Sequence, residues 1–242
     1  MDKLGYTAMT AAARTMMSLQ VQANNLANVN TAGFRADMDS AEAVAVEGYG
    51  YDSRHLVTTR GVGVDMRPGA AMQTGRPLDV AIAGNGLIAV ETATGEAYTR
   101  NGAMQLDADM TLTIGGRAVI GDGGPIVLPA HDRIEIAPDG TISVLARGEQ
   151  EMAEVGRIKL VNPPAIEVSK RLDGLLGRTD GRPFVVDDAV RLQSGYLESS
   201  NVSAIEQLTT TMSLSRQFEA QVKMMKAAED LSSAGNRMLR GS

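Results

Sequence analysis

The chain has 242 residues, a formal net charge of −6 and no cysteine. That length suits one large or two smaller domains, and the acidic balance offers no basic surface for nucleic acid. Lys and Arg are dispersed, so no cationic cluster points to anionic lipid, and disulfides play no part. Aromatic residues are scarce at 3% with no Trp, while Met is abundant at 14 residues. Methionine fills irregular helix interfaces without demanding one geometry.

The first element is a helix. Met9, Ala12, Met16, Leu19, Ala23 and Leu26 recur at alternating gaps of three and four, the a/d seam of a helix that packs lengthwise on another. No Pro interrupts the run, which breaks at Asn28-Val29-Asn30-Thr31-Ala32-Gly33. At roughly 1.5 Å per residue the helix is about 37 Å long. A narrow apolar stripe needs a partner, and the candidate lies at the other end. There Ile205, Leu208, Met212, Phe218, Val222 and Met225 hold mostly helical spacing.

Residues 1–20 lack a basic n-region and an apolar h-region, with Arg14 and Ser18 inside the window. No run approaches the ~20 apolar residues that span a bilayer. The expectation is a cytosolic protein, or one exported without cleavage of a leader, with no membrane insertion.

Residues 34–66 show no sustained period. They read as extended chain with short strands, or one short helix around 37–45. So long a connection is usually functional or draped along something else. From Pro68 the pattern turns β. Leu78, Val80 and Ile82 alternate, Gly84-Asn85-Gly86 turns the chain, and Leu87, Ile88 and Val90 resume, which predicts a hairpin. Short strands follow at 97–100, 104–106, 112–114, 117–120, 126–128, 134–136, 142–145 and 155–161, separated by Gly and Asp turns. Pro163-Pro164 ends the regular run, and one or two strands return, including 183–186. Ser200 or Asn201 can cap the last helix, and Ser203 with Glu206 is spaced as a capping box. That helix runs to about Arg237.

The fold class is therefore α+β. Long N- and C-terminal helices pair as a coiled-coil-like inner domain, beside a central all-β domain and an extended arm. The divisions expected are 1–33, 34–69, 70–192 and 193–242. Two helices of this kind cannot bury all their apolar surface alone, so they pack further on copies or homologues.

No motif carries chemistry. The two histidines, His55 and His131, lie in regions of different character, fewer than a metal site wants. There is no Gly-x-Ser-x-Gly elbow and no P-loop, and Gly84-Asn85-Gly86 lacks the third glycine of a dinucleotide fingerprint. Asp107-Ala108-Asp109 has no EF-hand spacing and reads as a turn. No catalytic, metal or cofactor site is expected. Asn24, Asn25 and Asn28 have two readings: capping of the helix C-terminus, or bonds to neighbouring backbones in a close-packed assembly.

Four segments in order carry a resemblance. Asn24-Asn25-Leu26-Ala27-Asn28-Val29-Asn30-Thr31-Ala32-Gly33-Phe34 resembles the N-terminal motif of flagellar rod and hook proteins. Gly195-Tyr196-Leu197-Glu198-Ser199-Ser200-Asn201-Val202 resembles their C-terminal motif. Arg76-Pro77-Leu78-Asp79-Val80-Ala81-Ile82-Ala83-Gly84-Asn85-Gly86 and Tyr98-Thr99-Arg100-Asn101-Gly102 are similar to their β-domain motifs. Within that family, Met1-Asp2, Val46-Glu47-Gly48, Leu56-Val57-Thr58 and Asp65-Met66-Arg67-Pro68-Gly69 are nearest to proximal-rod members. Distal-rod members, the alternative, usually have a longer middle and an aromatic residue where Leu87-Ile88 stands.

The resemblance implies a structural subunit of the proximal rod in the periplasm, leaving the cytosol uncleaved through the type III export apparatus. It implies partners among its own copies and homologous rod proteins, with the terminal helices lining an inner tube. The fifteen residues Met9, Ala12, Met16, Leu19, Ala23, Leu26, Asn24, Asn25, Asn28, Ile205, Leu208, Met212, Phe218, Val222 and Met225 are the expected assembly interface. A reading of another class, a β-domain hydrolase or carbohydrate binder with helical oligomerisation ends, requires a deep pocket with convergent titratable groups.

Overall fold

The computed structural model describes residues 2–45 and 55–240. Contacts divide the chain into two compact units. One holds Met1–Ala27, Asp37–Val62 and Ser203–Ser242, the other Asn28–Ala36 and Gly63–Val202.

The first unit is built on two helices, α1 (Asp2–Ala27) and α2 (Ala204–Arg240). Both runs are rich in Ala, Met, Leu, Gln and Lys or Arg, strong helix formers, and neither contains Pro. Helix α1 ends where the Asn28 carbonyl accepts the Thr31 N–H at 3.1 Å. Helix α2 starts at Ser203, whose Oγ accepts the Glu206 N–H at 3.4 Å, so the capping-box position holds. Ser200 and Asn201 are not the cap. The Ser200 Oγ accepts the Val202 N–H at 3.2 Å, and Asn201 is spent on three backbone groups. The helix continues to Arg240, past the expected end.

Helices α1 and α2 pack against each other. The protected positions on α1 include Gly5, Ala8, Ala12, Thr15, Leu19, Gln22 and Leu26; on α2 they include Gln207, Thr211, Leu214, Phe218, Gln221, Met225 and Ala228. Both sets keep the three-four repeat, and the seam mixes small and polar residues with Leu19, Leu26, Leu214, Phe218 and Met225. Thr15 Oγ donates to Gln221 Oε1 at 3.0 Å in its buried middle. This corrects the phase of the expected seam. Ala12, Leu19, Leu26, Phe218 and Met225 lie on it, whereas Met9, Met16, Ala23, Ile205, Leu208, Met212 and Val222 are exposed.

Residues 37–45 are strand rather than short helix: β1 (Asp37–Ala45) pairs with β2 (His55–Val64). Val46-Glu47-Gly48, one of the subtype motifs, lies outside the described residues.

The second unit is β. A five-stranded antiparallel sheet runs Leu160–Val161, Leu87–Thr92, Gly95–Thr99, Leu176–Arg178, Val168–Lys170. Strand Leu87–Thr92 opens with four fully buried residues, because each face of the sheet meets a separate core. Ile88, Val90 and Ala97 join one core with Val80, Met104, Leu112 and Ile142; Leu87, Ala89, Tyr98 and Leu176 join the other with Val64 and Phe184. Two three-stranded sheets contribute to the first core: 104–118 and 131–157.

Three β expectations are corrected. Val80–Ala83 does not form a hairpin with Leu87–Thr92; it pairs with Arg191–Ser194. The turn between them exists, but its carbonyls are taken by Arg100, described below. Residues 126–128 form no strand: Ile126 and Leu128 are buried, with one bridge from Val127 to Thr111. Residues 183–186 make only the bridge Val161–Val186, since the Phe184 N–H is used by the Tyr98 hydroxyl at 2.8 Å.

Candidate assembly surfaces and the Glu198 clasp

Within the β unit, Arg35, which follows the N-terminal motif, meets the buried carboxylate of Glu198 in the C-terminal motif. Glu198 sits on Tyr196–Glu198, which pairs with Ala71–Gln73. Its Oε2 accepts from Arg100 Nε at 2.8 Å, and its Oε1 accepts from Arg35 Nη2 and from the Gly69 N–H at 2.7 Å. All three side chains are at most 3% exposed. Arg100 also donates to the carbonyls of Gly86 at 2.9 Å, Gly84 at 2.7 Å and Ile82 at 3.3 Å, so one guanidinium ties the 83–87 turn to the carboxylate. Burial pulls its pKa below the ordinary arginine value, opposed by Glu198 and aided by the like charge of Arg35.

Neighbouring contacts close the clasp. Asn201 Oδ1 accepts the Ala36 N–H at 2.8 Å, and its amide donates to the Asp65 and Arg67 carbonyls at 2.9 and 3.0 Å. The Lys170 ammonium lies 3.8 Å over the Phe34 ring and donates to the Arg35 carbonyl at 2.9 Å. Bonds from the Arg67 guanidinium hold the Asp65 carboxyl below the usual carboxylate range, with Arg35 adding to the effect. Gly33 has φ +67°, and a Cβ there would stand 2.2 Å from the Asn101 nitrogen. At Gly69 a Cβ would meet the Ser199 carbonyl oxygen at 2.1 Å. Both glycines are required by close backbone approach.

In the helical unit the motif asparagines bond their own chain. Asn25 is buried; its amide donates to the Asp37 carbonyl at 2.9 Å and accepts the Asp37 N–H at 2.8 Å. Asn24 donates to Asp37 Oδ2 at 2.7 Å. Arg14 and Ser18 both hold the Asp39 carboxylate. Thus β1 is stitched along α1 by side chains. In the β unit, Asn28 Oδ1 accepts from the Thr31 hydroxyl at 3.1 Å.

The outer surfaces of the helices are apolar in stripes. On α1 the exposed positions Tyr6, Met9, Ala13, Met16, Gln20, Ala23 and Ala27 keep their own three-four repeat, one residue out of phase with the protected seam. Exposed residues between 6 and 27 of α1 include no charged side chain. On α2, Gln217, Ala220, Met224, Ala227, Leu231, Ala234 and Met238 form a second stripe, all exposed except half-buried Ala234. Leu231 is 61% and Met238 76% exposed. Nearer its start, Ile205, Leu208 and Met212 are exposed as well.

A concavity of the β unit, about 830 Å³, is an open groove lined in part by Asp122, Asp139, Glu154 and Arg157. Asp139 is held below the usual carboxylate range by bonds from the Thr141 N–H and hydroxyl, which pin it in a turn. His131 faces the Pro129 carbonyl at 2.9 Å, and Asp107 accepts the N–H groups of Asp109 and Thr111, the turn its spacing suggested. Among the described residues no group of three or more His, Asp and Glu could hold a metal ion.

Three family models match the chain. They are described as flagella basal body rod protein at residues 6–35, flagellar hook protein FlgE/F/G D1 domain at 81–144, and flagellar basal body rod FlgEFG protein C-terminal at 193–238. The flagellar basal-body rod protein FlgF of Escherichia coli (strain K12) is 43% identical over 99% of each chain. The chain belongs to the FlgF family. FlgF of Salmonella typhimurium is 42% identical over 99% of each chain, and the rod protein FlgG of Bacillus subtilis (strain 168) is 29% identical over 93% of this chain and 95% of that one. FlgF proteins are structural subunits of the flagellar basal body rather than enzymes, which sets aside the hydrolase reading. Both ends of the chain, where the two rod models match, contribute to the Glu198 clasp.

Sequence reading quoted Arg35's neighbours, Arg100 and Glu198 within motifs but assigned none of them a role. The available signal was one charged residue, Arg100 or Glu198, in each of two otherwise uncharged motifs.

Proposed function

We propose that this chain is a self-assembling subunit of the proximal rod, carrying torque across the periplasm. Its partners are its own copies and homologous proximal- and distal-rod proteins. It reaches them through the flagellar type III export apparatus, without cleavage of a leader. The terminal helices pair as a coiled coil and form the rod's inner wall. Their exposed residues, Met9, Met16, Ala23, Ile205, Leu208, Met212 and Val222 among them, meet neighbouring subunits, while Ala12, Leu19, Leu26, Phe218 and Met225 hold the pair together.

One observation carries this reading: the exposed face of α1 from residue 6 to 27 has no charge. A helix face meant for water carries charged side chains, whereas an uncharged face with Met and Ala is completed by other protein. The 43% identity to the Escherichia coli FlgF, against 29% to the Bacillus subtilis FlgG, supports the proximal position.

The test is complementation of a motile strain lacking its own copy. Leu19→Asp and Val222→Asp are each expected to be exported but to block rod assembly and swimming. Normal swimming by both variants would refute the assembly role. Electron microscopy of tagged basal bodies, with the tag placed relative to the outer-membrane rings, separates proximal from distal rod.

A further inference from the structure

Beside the Glu198 clasp lies a small cavity of about 20 Å³, bordered by Phe34, Arg35, Thr99, Arg100, Lys170 and Leu176 among others. One water-sized particle needs roughly 10–15 Å³ for its centre, so the space takes a single small occupant. Much of the wall is buried, including Arg35, Thr99, Arg100 and Leu176. Among the described residues its charged lining side chains are Arg35, Arg100 and Lys170, all cations.

Two needs of this wall are unmet within the chain. The first is a donor. Arg35 gives Nη1 to the Phe34 carbonyl at 3.3 Å and Nη2 to Glu198, but its buried Nε–H finds no acceptor among the described residues. A buried donor left unpaired is costly. The second is charge. One carboxylate, Glu198, is shared by two guanidiniums, which leaves a surplus positive charge out of water. Asp65 is close enough to feel Arg35, but its carboxylate oxygens are bonded by Arg67.

We propose that this cavity binds one monatomic anion, chloride, against Arg35 and Arg100. Water would satisfy the open N–H alone, whereas an anion answers the donor and the surplus charge together. Phosphate and carboxylates are too large for the space. The Thr99 hydroxyl, whose oxygen accepts the Asn101 N–H at 3.0 Å, keeps its proton to donate to the same ion. The site exists only when residue 35 and the strand leading to Arg100 have come together, so the ion binds the folded chain and stabilises it. This inference stands apart from the rod-subunit reading.

The test melts the purified full-length chain in mixtures of sodium chloride and sodium gluconate at constant ionic strength, gluconate being too large to enter. The midpoint is expected to rise by about 4 °C as chloride replaces gluconate, along a curve that saturates. Amide exchange locates the effect: about tenfold slower at 33–36 and 98–101 in chloride, and unchanged in α1 and α2. Arg35→Met removes the open donor and leaves Glu198 paired one-to-one with Arg100, so it is expected to lose the chloride response. Equal midpoints in the two salts would mean that water alone fills the cavity, and would overturn the proposal. Chloride protection appearing only outside 33–36 and 98–101 would overturn it too, as would a full chloride response in Arg35→Met. If that variant does not fold, exchange in the parent chain still decides.

Discussion

The β unit and the helical unit bury polar groups by opposite means. In the β unit a carboxylate is shared by two guanidiniums, all three almost fully removed from water, between segments far apart in sequence. In the α1–α2 seam the buried polar pair is neutral, Thr15 with Gln221, among alanines and half-buried glutamines. A buried ion cluster is costly unless every partner is in place, so it favours one geometry. A neutral seam tolerates small adjustment, and several large apolar side chains, Met9, Met16, Met224 and Leu231 among them, stay exposed beside it. The comparison teaches that one unit fixes its geometry with buried charge, while the other leaves apolar helix surface unspent.

The strongest way to break this contrast is to remove the shared carboxylate. Glu198→Ala leaves two buried guanidiniums unpaired and should cost about 3–5 kcal/mol in denaturant unfolding. Amide exchange should accelerate at 69–71 and 198–201. A loss within experimental error would mean that the clasp does not hold the β unit together. Next in size is Gly33→Ala, expected to cost about 2–3 kcal/mol, because a methyl meets Asn101 backbone in a left-handed conformation.

The seam should respond more gently. Thr15→Val orphans the Gln221 amide and should cost about 1–3 kcal/mol, whereas Thr15→Val with Gln221→Leu should recover most of that loss. Additive losses would show that the pair is not an interacting unit. Acid comes next. Asp65 is held below its ordinary range in the fold, while the unfolded chain titrates near ~3.9. The folded chain then binds fewer protons than the unfolded one at low pH. Its contribution is complete above about pH 4 and is lost as pH falls through the folded value. Asp65→Asn should flatten that acid limb of the stability profile. Smallest of all, Met16→Ala should change monomer stability by less than about 0.5 kcal/mol, since the side chain is exposed.

Much of the fold was legible because its signals are local. Helix lengths, the Ser203–Glu206 box and most short strands follow from period and turn residues over a few positions. The phase of the seam was not. On α1, residues 8, 12, 15 and 19 and residues 9, 13, 16 and 20 have the same spacing, so periodicity fixes a repeat without saying which of two adjacent stripes faces the partner. The expected seam straddled both stripes: Ala12, Leu19 and Leu26 are protected, whereas Met9, Met16 and Ala23 are exposed. The partner of Val80–Ala83 was hidden for a different reason: Arg191–Ser194 lies more than a hundred residues away, and a Gly-Asn-Gly turn looks like a hairpin whatever its carbonyls do. The Glu198 clasp was equally nonlocal, joining Arg35, Arg100 and Gly69 from segments far apart in sequence.

Arg100 also decides where this protein can accept extra sequence. Because one guanidinium reads three carbonyls across residues 82–86, adding even a single residue there would move the acceptors off their donor. The tip around Gly148 has no such obligation: residues 147–150 are all exposed and a Cβ on Gly148 would meet nothing within 4 Å. Epitope tags, fluorophore handles and natural length variation should therefore be tolerated at that tip and rejected at the 83–87 turn.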